Sequence, residues 1–349
     1  MFKRIVTVSI LLAGAAQADV PRVATDIPPV HSLVARVMDG LGEPSLLVRP
    51  GASPHGYSMR PSEARALQEA DLVVWIGGRL TPWLEGPLDV LSADARHIPL
   101  LEAEGTLRLP FREGVTFLVE EADGHEDDHG DDEHGHDDDD HDDHGHEEHG
   151  HDDHGHDDDD HGHEEHDGHG AGHDHDHDGD DPHVWLDPVN AGVWLGVIAE
   201  ELAALDPENA ARYRSNAADA GAEIDALVSD VTQQLAPVEG RGFIVFHDAY
   251  HYFERRFGLQ ARAAVRDTDA VPPSPSRLDE IRNKLSEMEV RCAFTEPQFN
   301  AGVLGAVLEQ ANVQVTEIDP LGQRQTPGAG LYPALIRELA ADMAGCLSK

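Results

Sequence analysis

Cysteine is nearly absent: Cys292 and Cys346 are the only two in 349 residues, both near the C-terminal end. Two cysteines without C-x-x-C spacing are a poor start for a thiolate metal site. In an oxidising compartment they can close a disulfide tying the C-terminal helix to a strand, which we expect over two buried thiols. Basic residues are also scarce, 25 Lys and Arg against 68 Asp and Glu, for a formal charge of −43. That balance excludes nucleic acid as a partner, since binding a phosphate backbone requires a basic face. Beyond the N-terminus no apolar run approaches the roughly 20 residues that cross a bilayer. Outside the acidic, histidine-rich stretch there is no H-E-x-x-H and no general base in a motif context, which argues against a zinc hydrolase.

The apolar run at the N-terminus is short. Lys3 and Arg4 precede Ile5 to Ala13, and Ala16-Gln17-Ala18 offers a small-residue cleavage site. This pattern reads as a secretory signal over residues 1–18, leaving a mature chain that begins near Asp19 outside the cytoplasm. No cysteine follows the apolar run, so lipid attachment there is not expected.

Histidine is abundant and unevenly placed. Eighteen of 24 lie between residues 123 and 181: His125, His129, His134, His136, His141, His144, His146, His149, His151, His154, His156, His161, His163, His166, His169, His173, His175 and His177. They alternate with 29 carboxylates and no Lys or Arg. Imidazole and carboxylate bind borderline divalent metals, so the stretch reads as a set of weak, overlapping metal sites. Its composition cannot form a core, and we expect disorder when metal-free. D-D-H-G-H at 142–146 and 152–156 and H-E-E-H at 146–149 and 163–166 are low-complexity echoes, not a solenoid repeat. A selective site needs a few ligands in fixed geometry, which directs attention to the other six histidines.

The rest of the chain is long enough for about two ordinary domains. Leu46 to Val48 reads as a strand, Pro61 to Ala70 as a helix, Leu72 to Ile76 as a strand, and Thr81-Pro82-Trp83-Leu84 as another helix start. That rhythm predicts an α/β fold with a doubly wound parallel sheet. Tyr213, Ala217, Ala220, Ile224, Leu227 and Val231 mark one face of a long helix that stops before Pro237. We read it as a rigid connector over 207–236, joining an N-terminal lobe (19–206) to a C-terminal lobe (237–349). The second lobe repeats the pattern at 243–246, 278–288, 292–295, 303–310 and 313–318, closing with a helix over 333–344.

Four candidate ligands share one placement. His55 lies in the loop after the first of these strands, His247 directly follows 243–246, Asp319 directly follows 313–318, and His183 precedes Val184-Trp185-Leu186 where the acidic stretch ends. Open α/β sheets bind ligands outside the carboxyl ends of their strands, so the four define a rim facing a cleft between lobes. Three imidazoles and a carboxylate suit tetrahedral Zn²⁺, whereas manganese prefers more oxygen. His31 and His97 are read as surface or capping residues. So is His251, although it sits one helical turn beyond His247.

The segments S-P-H-G-Y-S-M-R-P-S (53–62), D-P-H-V-W-L-D-P (181–188), F-H-D-A-Y-H-Y-F (246–253), T-E-P-Q-F (295–299) and I-D-P-L-G (318–322) occur in that order. Together they closely resemble the periplasmic zinc-binding proteins of bacterial high-affinity zinc ABC importers, in the cluster A-I metal-binding family. The resemblance implies two doubly wound α/β lobes joined by one long α-helix, with zinc in the interlobe cleft and no catalysis. It assigns His55, His183 and His247 as ligands, with Asp319 or water in the fourth position. It also implies an ABC permease and its ATPase as partners; a periplasmic zinc-donating chaperone and a monomeric state are separate expectations. A metal buffer or adhesin not coupled to import is the alternative.

Overall fold

In the computed structural model, β1 (Val23–Thr25) leads into α1 (Pro28–Val37), followed by β2 (Ser45–Leu46), α2 (Pro61–Gln68), β3 (Leu72–Trp75), α3 (Pro82–Leu91) and β4 (Arg96–Pro99). The four strands form a parallel sheet in the order β2-β1-β3-β4. Helices α1, α2 and α3 each begin at a proline. The first helical residue has no intrahelical use for its N–H, and proline's fixed φ suits the position. The structure describes residues 20–112, 114–117, 179–266, 272–299, 301–308, 311 and 313–349. The signal segment and the eighteen loop histidines lie outside the described residues.

Two helices then run back to back, α4 (Pro188–Leu205) and α5 (Ala210–Leu235). All six residues marked by the helical periodicity of α5 are buried: Tyr213, Ala217, Ala220, Ile224, Leu227 and Val231. At 26 residues, α5 is about 39 Å long at 1.5 Å per residue. By length and composition α4 matches a membrane span, which reading the sequence for apolar runs did not single out. It is a core helix: Trp194, Leu195, Ile198 and Leu202 are buried, and it packs on α1 and α5.

The second lobe comprises β5 (Gly242–His247), α6 (His251–Phe257), β6 (Gln260–Arg266), α7 (Pro275–Lys284), β7 (Cys292–Thr295), α8 (Ala301–Leu308), β8 (Gln314–Glu317) and α9 (Leu331–Leu347). Its strands form a parallel sheet in the order β6-β5-β7-β8. The edge strands β4 and β6 were not legible as strands. Arg96, His97, Gln260 and Arg262 interrupt the apolar run that marks a strand buried on both faces.

Alternation along the central strands splits the core. In β5, Phe243 and Val245 join a large cluster that also holds residues of α1, α4, α5 and α9, while Ile244 and Phe246 face a smaller outer one. In β3, Leu72 and Val74 join the same large cluster, and Val73 and Trp75 face the α2–α3 side. Successive side chains of a strand point to opposite faces, so each sheet is covered on both sides. One apolar core therefore runs continuously through both lobes, and all described residues belong to one compact unit. The expected disulfide is present: Cys292 on β7 bonds Cys346 on α9.

The chain flanking the acidic insertion is ordered at its base. Leu109 O accepts from Asp181 N–H at 2.8 Å and Phe111 N–H donates to Gly179 O at 3.2 Å, an antiparallel pair centred on Pro110 and Asp180. A few residues later Thr116 bridges Ala263 of β6.

Candidate metal centre

Three of the four candidate ligands come together. His55, His183 and His247 present ring nitrogens that all lie within 4.8 Å of one another. His55 stands in the irregular stretch between β2 and α2, held by the Trp83 indole N–H donating to Pro54 O at 2.7 Å. His183 sits just before a 3₁₀ turn, Val184–Leu186, that leads into α4, and His247 is the last residue of β5. Both are 3% exposed, whereas His55 is half-buried.

Two carboxylates aim the buried pair. Asp181 Oδ1 accepts the His183 backbone N–H at 2.9 Å and lies 2.7 Å from His183 Nδ1. Glu296, immediately after β7, places Oε1 2.5 Å from His247 Nδ1. A carboxylate that accepts from Nδ1 leaves the Nε2 lone pair free and fixes the ring's direction, as is usual for metal-binding histidines. The two Nε2 atoms are 3.3 Å apart. A tetrahedral ion with Zn–N bonds of 2.0–2.1 Å has an N–N edge of about 3.3–3.4 Å, so this pair already stands at a zinc edge.

The surroundings are aromatic and acidic. Trp185 lies 5.3 Å from His183 and Phe299 5.6 Å from His247, between ring centres. Burial, reinforced by the Asp248 carboxylate, pushes Asp181 up to about 8. The His183 backbone N–H and the charges of His251 and Arg112 oppose that rise. Burial, with the nearby carboxylates of Glu296 and Asp319, holds the Tyr250 hydroxyl well above its usual range and therefore protonated.

Asp319 is not in the close group. It is buried beyond β8, with Oδ1 accepting the Leu321 N–H at 3.1 Å and Oδ2 the Arg324 N–H at 2.9 Å. His31 Nε2 contacts Pro44 O at 3.1 Å and His97 Nε2 contacts Ser92 O at 2.9 Å. His251, the first residue of α6, is also outside the group.

Reading the sequence assigned no role to Asp181 or Glu296, although both fall inside quoted motifs. Asp181 was counted with the acidic insertion, yet it is 2% exposed and ends that stretch inside the fold. A carboxylate two residues before a candidate histidine, and another directly after a buried apolar strand, were the available signals.

Residues 23–346 match the family described as ZnuA, zinc-uptake complex component A periplasmic. The chain is 46% identical over 333 residues to the high-affinity zinc uptake system protein ZnuA of Paracoccus denitrificans (strain Pd 1222), covering 95% of this chain and 93% of that protein. It is 42% identical over 327 residues to the protein of the same name from Brucella suis biovar 1 (strain 1330), covering 94% and 92%. A crystal structure of ZnuA superposes with a TM-score of 0.68 at 22% identity, over 94% of this chain and 100% of that one.

Proposed function

Because the chain belongs to the family of periplasmic zinc-uptake component A proteins, we propose that it holds its zinc cargo on His55, His183 and His247. The protein is the solute-binding component of an ABC-type zinc uptake system, with a membrane permease and its ATPase as partners, and it captures zinc without catalysing a reaction. One observation carries the ligand assignment: three imidazoles from three separate elements converge, two of them oriented by buried carboxylates. Neutral imidazoles are the donors zinc takes, so capture releases any protons they hold.

Asp319 is the candidate for the fourth position, with water as the alternative. Each of its oxygens accepts one backbone N–H, which leaves a second lone pair on each for the ion. The division into lobes at 19–206 and 237–349 around a connector at 207–236 assigns His55 and His247 to opposite sides of the cleft. Cleavage near Ala18, a monomeric state, weak zinc binding by the histidine-rich insertion and supply by a zinc-donating chaperone complete the reading.

The test is zinc titration of the mature protein against a tight chelator, beside a His55→Ala, His183→Ala, His247→Ala triple variant. Loss of one tight equivalent with weaker binding retained is the expected result. An unchanged tight equivalent would place the primary site in the insertion instead.

A further inference from the structure

The segment carrying His183 is tied by several hydrogen bonds to residues from the far half of the chain. The Tyr252 hydroxyl on α6 donates to Asp181 O at 2.9 Å and accepts the Leu109 N–H at 2.8 Å. Arg256, one turn further along α6, grips both oxygens of Asp187 at 2.7 Å each. The Trp185 indole N–H donates to Pro320 O at 2.8 Å, and the Tyr332 hydroxyl on α9 donates to Trp185 O at 2.8 Å. Asp181, Trp185, Asp187, Tyr252 and Tyr332 are each under 3% exposed. Helix α6 begins four residues after His247, so the same short stretch that ends β5 also straps down the His183 segment.

His55 is held differently. Residues 49–60 form no helix or strand, and among them only Pro54 is buried. Among their anchors are the Trp83 indole on Pro54 and the Arg49–Tyr57–Glu63 set of hydrogen bonds, both within the first lobe, and the His55 ring meets that of His183 at 5.4 Å between centres. An exposed stretch with few buried contacts opens at lower free energy than a buried, multiply bonded one.

We propose that His183 and His247 form a preassembled half-site fixed to the second lobe, and that His55 is the closing ligand. Zinc lands first on the buried pair, which already stands at the tetrahedral edge, and residues 49–60 settle over it last. Release runs in reverse, beginning with His55. Tyr252 and Arg256 act as positioning residues, setting His183 against His247 without touching the ion. The inference rests on the three-histidine reading above.

Hydrogen exchange of the mature protein, metal-free and zinc-loaded, tests the order. Residues 49–60 are expected to gain at least about tenfold protection on loading, while 181–187 and 247–256 are slow in both states. Stopped-flow zinc transfer to a chelator supplies the kinetic arm. His55→Ala should raise dissociation by more than about tenfold and leave association within about threefold. Arg256→Gln should speed exchange at 181–187 in the metal-free protein and slow association, with Arg256→Lys restoring part of both. Lowered thermal stability with unchanged association would make Arg256 merely structural and overturn its positioning role. Fast exchange at 181–187 in the metal-free native protein, or a His55→Ala defect confined to association, overturns the order while leaving the ligand set intact. A tight equivalent retained in both His183→Ala and His247→Ala overturns the ligand set itself, and this inference with it.

Discussion

Removing Arg112 strands two buried carboxylates. Its Nε lies 3.1 and 3.0 Å from the oxygens of Asp248 and its second terminal nitrogen also reaches Asp248 Oδ1. The terminal nitrogens contact the Glu254 oxygens at 2.8 and 2.9 Å. The side chains of Asp248 and Glu254 are 6% and 4% exposed, and that of Arg112 14%. The guanidinium also stacks 4.0 Å above Phe117. Breaking a buried ion pair by deleting one partner costs about 3–5 kcal/mol, because the remaining charge stays desolvated. At roughly 2–4 °C per kcal/mol for a chain of this order, Arg112→Met should lower Tm by about 10 °C, measured by calorimetry on the metal-free mature protein. Burial already raises the Glu254 carboxyl, and losing the guanidinium raises it further. A folded-state pKa lifted above the unfolded one loses stability as pH rises, so the variant's deficit should grow towards pH 8 and shrink towards pH 5. Adding Asp248→Asn and Glu254→Gln should recover much of the loss by removing the stranded charges. A deficit under about 1 kcal/mol, or a triple variant no more stable than the single one, refutes the reasoning.

Glu296→Gln should weaken zinc affinity by about 10- to 100-fold, because the His247 ring loses the carboxylate that orients it. Chelator competition reads this directly, and an unchanged affinity would show that packing alone aims the ring. Asp26 is fully buried, accepting the Ile27 and Ile76 N–H groups at 2.8 Å each, and burial pushes its carboxyl up to about 7. Its contribution is therefore greatest below the ordinary carboxyl range near pH 4 and declines by at most about 4 kcal/mol as pH rises through 7. Asp26→Asn should cost about 1–3 kcal/mol at low pH by setting an amide N–H against a backbone donor, and that deficit should narrow by pH 8. A deficit independent of pH in urea unfolding would contradict the shift. The Cys292–Cys346 bridge spans 54 residues, so Cys292→Ala with Cys346→Ala should lower stability by about 4 kcal/mol on chain-entropy grounds. Equal midpoints for oxidised and reduced protein would rule that out.

Much of the fold was legible because short-range physics repeats. The apolar runs Leu72–Trp75 and Phe243–Phe246 and the prolines at Pro61, Pro82 and Pro188 mark elements that the structure contains within a few residues. The strands β4 and β6 escaped because edge positions tolerate Arg and Gln, and β1 because three residues carry too little pattern. His55, His183 and His247 could be singled out because each lies at or near the end of a strand or the start of a helix and inside a recognisable segment.

The residue order by itself determined the parallel α/β class, the buried face of the long helix and which three histidines to examine, since these depend on neighbours a few positions away. Tertiary structure alone decided that Asp181 and Glu296 orient two of those rings and that Asp319 spends both oxygens on backbone donors. It also decided that His183 is strapped down by Tyr252 and Arg256. The direction of a donor atom is set by whatever packs against its side chain from distant parts of the chain, and no local pattern records that.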